Sequence, residues 1–166
     1  MPYFTVFTPT YNRAYILPKL YQSLCEQTCK DFEWMIVDDG STDGTGKLVA
    51  QWEGQNNEFD IHYYKIQNGG KPRAINFGIT KANGDFFFMV DSDDRLTTDA
   101  VQKMLLWCKE IEDDPTFVGV GAARGYPDGS YLKGTAPRTN EHGYVDATNL
   151  DRNKYDLEAD MCEAYK

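Results

Sequence analysis

Two acidic clusters stand directly after apolar runs in this chain: Asp38-Asp39 after Trp34 to Val37, and Asp91-Ser92-Asp93-Asp94 after Phe86 to Val90. If extended backbone continues for two residues past Val90, Asp91 and Asp93 face the same side, because strand side chains alternate. Two carboxylates about 4 Å apart repel by about 4 kcal/mol at an effective dielectric near 20, so this D-x-D pair calls for a cation. Oxygen ligation with positions left open suits Mg²⁺ or Mn²⁺ held jointly with a phosphate group. The competing explanation is an acidic cap for the helix after Thr97, but a cap needs one carboxylate and not three. At the other cluster, a carboxylate can accept from a ribose hydroxyl or a base N–H, and Gly40 lets a ligand approach the backbone. The far half of that loop, with Asp43 and Thr45, reads as a turn and helix cap.

Two further groups are weaker signals. Tyr11, in Tyr11-Asn12-Arg13, offers a stacking platform at a strand end, although a tyrosine with a wet hydroxyl is as readily a core residue. Lys71 and Arg73 flank a helix start beside Gly69-Gly70, where the macrodipole disfavours cations, so an anionic ligand is one explanation and two solvated charges the other.

These groups need strand ends to hold them, and the hydrophobic pattern supplies those. Tyr3–Thr8, Trp34–Val37, Ile61–Ile66, Phe86–Val90 and Phe117–Val120 read as strands. Between them, residues at helical spacing recur: Ile16, Leu17, Leu20, Tyr21 and Leu24; then Leu48, Val49 and Trp52; then Val101, Met104, Leu105, Cys108 and Ile111. Pro72 fits the first turn of the third helix, on which Ala74, Gly78 and Ala82 form a small-residue face for close approach to a sheet. Alternating strand and helix predicts an α/β fold with a mostly parallel sheet, right-handed crossovers, and ligands beyond the carboxyl ends of the strands. Phe86–Val90, apolar on both faces, predicts a central strand. After Gly121 the sequence turns glycine-rich, aromatic and irregular, with a hairpin turn at Tyr126–Tyr131, which places a boundary near Ala122.

The chain has 166 residues, with 17 basic and 26 acidic side chains, a net charge of -9. An acidic surface with no basic patch excludes general nucleic-acid binding. The apolar share of 41% supports a real core and excludes a disordered chain. The longest apolar run, Phe86–Val90, is far below a membrane span, and Met1–Thr10 carries no secretory pattern. Cys25, Cys29, Cys108 and Cys162 form neither a disulfide framework nor a zinc site and read as reduced thiols. His62 and His142 read as surface or half-buried residues. The expected location is the cytoplasm, including the cytoplasmic face of a membrane.

Taken together, Thr8-Pro9-Thr10-Tyr11-Asn12-Arg13, Val37-Asp38-Asp39-Gly40-Ser41-Thr42-Asp43, Asn68-Gly69-Gly70 with Ala74-x-Asn76-x-Gly78, and Asp91-Ser92-Asp93-Asp94 resemble the successive motifs of family 2 inverting glycosyltransferases with the Rossmann-like GT-A fold. The match covers about the first hundred residues. It implies a donor site for a nucleotide-diphospho-sugar, usually a UDP-sugar, over residues 1–121. By the same match Tyr11 and Asp39 hold the base, Pro9 belongs to the nucleotide site, Asp91 contacts the ribose, and Asp93 ligates Mn²⁺ or Mg²⁺ on the diphosphate. Lys71 or Arg73 helps to hold the nucleotide. The resemblance also implies transfer with inversion to a saccharide, lipid-linked or protein acceptor that the sequence does not identify.

Residues 122–166 read as the start of an acceptor-binding region, incomplete at Lys166. The general base of the family, an acidic residue in a later motif, is therefore expected beyond Lys166; Asp156, Glu158, Asp160 and Glu163 are poor substitutes. Incomplete cover of apolar surface after Ala122 predicts self-association. A catalytically inactive module that keeps the nucleotide-sugar pocket is the alternative function. Nucleotidyltransferases need a glycine-rich, basic first loop, and Pro9-Thr10-Tyr11-Asn12 is neither.

Overall fold

The computed structural model describes residues 1–126, 128–132, 136–141, 143–157 and 161–166. The chain runs β1 (Phe4–Thr10), α1 (Leu17–Cys25), β2 (Phe32–Asp38), α2 (Thr45–Glu53), β3 (Ile61–Lys65), α3 (Lys71–Ile79), β4 (Phe86–Met89), α4 (Ala100–Ile111), β5 (Gly119–Ala123), a 3₁₀ segment (Asn149–Tyr155) and β6 (Met161–Tyr165). One sheet has the order β3-β2-β1-β4-β6-β5. The β1, β2, β3 and β4 strands pair in parallel, in registers such as Phe4↔Phe32, Trp34↔Ile61 and Phe4↔Phe86. Their carboxyl ends therefore share one edge, as the alternation of elements requires.

The central strands are buried on both faces, and their side chains alternate between the two. Phe7, Met35 and Val37 pack with Ala74 of α3 on one face. On the other, Trp34 stacks with Tyr21 of α1 and Trp52 of α2, with ring centroids 5.9 and 5.7 Å away, and its indole N–H donates to Thr8 Oγ1 at 3.0 Å. Gly78 allows α3 to sit this close, because a Cβ there would lie 2.3 Å from Phe7 Cε2. The α3 helix ends at Ile79, so Ala82 packs on the same core from the following turn. Gln27 joins α1 to α4: its Oε1 accepts from the Val101 N–H, and its Nε2 donates to the Ser23 and Thr97 carbonyls.

The structure moves one expected strand, adds another and fixes the start of α4. The fifth strand lies at Gly119–Ala123, not Phe117–Val120. The sheet holds a sixth strand, β6, lying beside β4 and antiparallel to it (Phe87↔Tyr165, Phe88↔Ala164). Its alternating burial, with Cys162 and Ala164 inside, is too short a pattern to stand out in an acidic tail. Helix α4 starts at Ala100 behind Asp99: the Thr97 carbonyl accepts from Ala100 N–H and from Gln27 Nε2, the Thr98 carbonyl from Thr28 N–H, and Val101 N–H donates to Gln27 Oε1.

Two compact units divide the chain: Met1–Val120 with Ala164–Lys166, and Gly121–Glu163. The last three residues thus belong with the first unit, since Ala164 and Tyr165 are in register with β4. In the second unit, Gly125 bridges Tyr131, Tyr126 N–H donates to the Ser130 carbonyl at 2.7 Å, and Gly129 takes φ +86°, which makes the expected hairpin turn around Pro127, itself outside the described residues.

Candidate functional site

The site is built where β1, β2, β3 and β4 end. Pro9 is tolerated inside β1 because the strand's hydrogen bonds alternate in direction: the Thr10 carbonyl accepts from Asp39 N–H on the β2 side, whereas the Phe7 carbonyl accepts from Val90 N–H on the β4 side. Pro9 faces the β4 side at a point where the β4 pairing has already ended at Phe7↔Met89, so no ladder bond is lost. Tyr11 follows with 48% of its surface exposed, which removes the core explanation for this ring. Asn12 takes φ +53°, a left-handed conformation that Asn enters more readily than most residues. Its N–H donates to Ser41 Oγ at 2.8 Å, and its Oδ1 accepts from the N–H groups of Thr42 (2.8 Å) and Asp43 (3.3 Å). Asp43 in turn accepts from Ala14 N–H and from Thr45. Its carboxyl is held below the usual carboxylate range: desolvation pushes it up, and the bonds from Thr45 and Ala14 outweigh that. The first two loops are one stitched unit.

Asp39 binds the third loop to these two. It is 6% exposed, and each carboxylate oxygen accepts one backbone N–H, Oδ1 from Gly69 at 2.8 Å and Oδ2 from Gly70 at 2.7 Å. The Asn68 side-chain amide donates to the Asp39 carbonyl at 2.8 Å. Gly40 must be glycine for this approach, having φ +83° and only 3.0 Å between an added Cβ and Asn68 N. Asp39 is thus a structural clamp. Each oxygen still has a lone pair, so it can accept from a ligand as well.

Beneath it, Asp38 is fully buried. Its Oδ1 accepts from Ser41 N–H at 2.6 Å and its Oδ2 from the Tyr63 hydroxyl. Burial, and then this bond to a carboxylate, push the Tyr63 phenol well above its ordinary range. Lys65 donates to the Ser41 carbonyl at 2.7 Å. Tyr63 and Lys65 carry no signal of their own in the sequence, and Asn68 stands there only as part of the Asn68-Gly69-Gly70 motif. Tyr63 and Lys65 stand two apart on β3, so the period of two already puts them on one face, which here addresses the β2–α2 loop.

The fourth loop corrects the geometry assumed for Asp91 and Asp93. Extended backbone stops at Met89, and Asp94 N–H donates to the Asp91 carbonyl at 3.0 Å, so the acidic run is a turn and not a strand continuation. Nor does it cap α4, which begins six residues past Asp94. Ser92 is buried, Asp91 half-buried and Asp93 exposed. Lys71 Nζ reaches across from α3 and donates to Asp91 Oδ1 at 2.5 Å. Arg73 does not cross: its side chain lies over Gly69, where an added Cβ would be 2.5 Å from Arg73 Cδ. So Pro9 at the end of β1, Lys71 at the start of α3, and Tyr11, Asp39, Asp91 and Asp93 on the loops between stand at one edge of the sheet.

No group of three or more His, Cys, Asp or Glu among the described residues could hold a metal by itself. The Asp91–Asp94 turn offers hard carboxylate oxygens, too few to enclose a cation. That fits a divalent cation whose remaining ligands come from a diphosphate and water, and does not fit an all-protein cage.

Of the residues weighed as substitute bases, Asp156 is committed to Arg138, whose Nε donates to it at 2.5 Å, Glu163 lies on β6, and Glu158 and Asp160 lie outside the described residues. His142 also lies outside them, while His62 sits 3.2 Å from Glu33 at the opposite edge of the sheet. Cys25, Cys29, Cys108 and Cys162 form no disulfide among the described residues. No helix among the described residues is long and apolar enough to cross a membrane.

Parallel strands whose end loops converge on a buried carboxylate and an acidic turn make an α/β domain of the GT-A type. The chain belongs to glycosyl transferase family 2, whose model matches residues 5–165. It is 33% identical over 117 residues to the glycosyltransferase GlyA of Streptococcus pneumoniae serotype 4, covering 70% of this chain and 16% of that protein. Among solved structures, S. aureus TarS 1–349 in complex with UDP superposes with a TM-score of 0.68 at 24% identity, over 84% of this chain and 40% of that one. The mannosyltransferase PcManGT of Pyrobaculum calidifontis, in complex with GDP-Man and Mn²⁺, superposes with a TM-score of 0.66 at 26% identity, over 77% and 37%. The chain thus spans less than half of each of these three proteins.

Proposed function

We propose that this chain carries the donor half of a glycosyltransferase and binds a nucleoside diphosphate sugar at the carboxyl edge of its sheet. The observation that carries the reading is the clamp at Asp39. A buried carboxylate with acceptor capacity left over, Tyr11 exposed one loop away, and an acidic turn linked to the same site through Lys71, occur together in a chain of this family. That TarS is solved in complex with UDP and PcManGT in complex with GDP-Man and Mn²⁺ supports a nucleotide ligand.

In this reading residues 1–121 are the donor domain and 122–166 belong to the acceptor side. Asp39 accepts the N3–H of uracil, Tyr11 covers the ring and Pro9 lines it. Asp91 accepts from a ribose hydroxyl, and Asp93 holds Mn²⁺ or Mg²⁺ against the diphosphate. When bound, such a cation stabilises the charge that develops on the leaving diphosphate. The sugar is transferred by one in-line displacement with inversion, and an acidic base outside the residues named here takes the proton of the acceptor hydroxyl.

The test is a titration of UDP, GDP, dTDP and CDP with Mn²⁺ or with a chelator, followed by hydrolysis assays of the matching nucleotide sugars. Metal-dependent binding with UDP strongest is expected. Failure of every nucleotide to bind overturns the reading.

A further inference from the structure

We infer that Lys71 is a built-in counterion that holds Asp91 while the donor site is empty and exchanges it for the diphosphate when donor and metal enter. This rests on the donor-site reading above. Lys71 is the first residue of α3, directly after Gly70 at φ +91°, so its charge sits at the positive end of the helix dipole. A cation there needs an anion, and its Nζ finds one across the site at Asp91 Oδ1, 2.5 Å away, 20 residues along the chain. Of the two cations on the first turn, Arg73 lies along Gly69 instead. The pairing is therefore particular to Lys71 and not a general consequence of opposite charge.

The pair is also easily opened. The two side chains are 54% and 28% exposed, and an ion pair so well hydrated costs a ligand less than about tenfold in affinity to break. The ammonium has no fork geometry that would lock it to one carboxylate, so its flexible stem can swing to a second anion. Two consequences follow from charge alone. In the nucleotide-free protein, Lys71 and a divalent cation compete for the field of the Asp91–Asp94 turn, so Lys71 suppresses metal binding until a diphosphate arrives. In the loaded site the same ammonium faces a phosphate oxygen and strengthens nucleotide binding. Lys71 thus couples metal uptake to donor uptake.

The test measures Mn²⁺ alone by electron paramagnetic resonance titration of the nucleotide-free chain, and UDP by calorimetry in chelator and in Mn²⁺. Lys71→Met should bind Mn²⁺ at least about threefold more tightly than the parent, since one neighbouring positive charge is gone. Its UDP affinity in chelator should fall at least about threefold, with Lys71→Arg, which keeps the charge, nearer to the parent in both. If the parent binds UDP in a Mn²⁺-dependent manner but Lys71→Met leaves Mn²⁺ affinity unchanged or weaker, the counterion role is overturned and the donor site stands. If the parent binds no nucleotide under any condition, both are overturned.

Discussion

Asp39→Asn keeps the shape of the side chain and changes one oxygen into an NH₂ group. In the parent, each oxygen accepts a separate backbone N–H, at 2.8 Å from Gly69 and 2.7 Å from Gly70. Whichever way the amide turns, one glycine N–H then faces a donor, and the other bond loses its charge. A hydrogen bond to a charged group contributes about 1.5 to 3 kcal/mol, and a neutral one about 1. Gly69 is exposed, so water recovers part of the loss, and the expected destabilisation is roughly 1 to 2 kcal/mol. Trp34 and Trp52 are both buried, so tryptophan fluorescence in a urea titration reports the unfolding. UDP affinity should fall about tenfold or more, since the β3–α3 loop and the base acceptor are weakened together. The preference for UDP over CDP, expected to be at least roughly tenfold in the parent, should narrow, because an amide can present a donor to the N3 of cytosine. An Asp39→Asn protein as stable as the parent within about 0.5 kcal/mol, with UDP affinity intact, would refute both the clamp and the base contact.

Asp93→Ala should leave the urea midpoint unchanged, as expected for an exposed turn residue, and abolish most of the Mn²⁺-dependent part of UDP affinity; undiminished Mn²⁺ dependence in calorimetry removes Asp93 as a ligand. Gly78→Ala should destabilise the chain by about 1 kcal/mol or more, because overpacking against Phe7 at 2.3 Å exceeds the gain of roughly 1 kcal/mol in helix propensity, and a stabilised variant in thermal unfolding contradicts the contact. Glu33 supplies a pH dependence. Burial pushes its carboxyl up, but hydrogen bonds from Thr5 and Asn83 and the neighbouring His62 outweigh that and hold it below the usual range. A depressed native value means stability that is complete above the unfolded value of about 4.3 and lost as pH falls through the lower native value. Urea unfolding between about pH 3 and 6 should therefore show a steeper acid loss in the parent than in Glu33→Gln, and equal slopes count against it.

The order of strands, loops and helices is legible in the chain because each element's pattern depends only on residues within it: an unbroken apolar run in Trp34–Val37, 3.6-residue spacing through Leu17, Leu20 and Leu24, and turn-forming residues such as Asn12, Gly40, Gly69 and Asp91 after the strands. That the acidic loops share one edge follows from the same reading, since parallel strands joined by helices all end on one side. The pairing of particular atoms is a different matter. Asp38 and Asp39 are adjacent acidic residues of identical type, yet one is sealed under Tyr63 and the other clamps Gly69 and Gly70, because neighbours on a strand end point to opposite sides and meet different loops. The β6 strand pairs with β4 across more than seventy residues, and five residues of mixed polarity acquire strand character only from the ladder they join. The Asp91 turn replaces the expected extended pair, and Lys71 reaches Asp91 from another element, because contacts between side chains distant in sequence are set by where the sheet brings their loops.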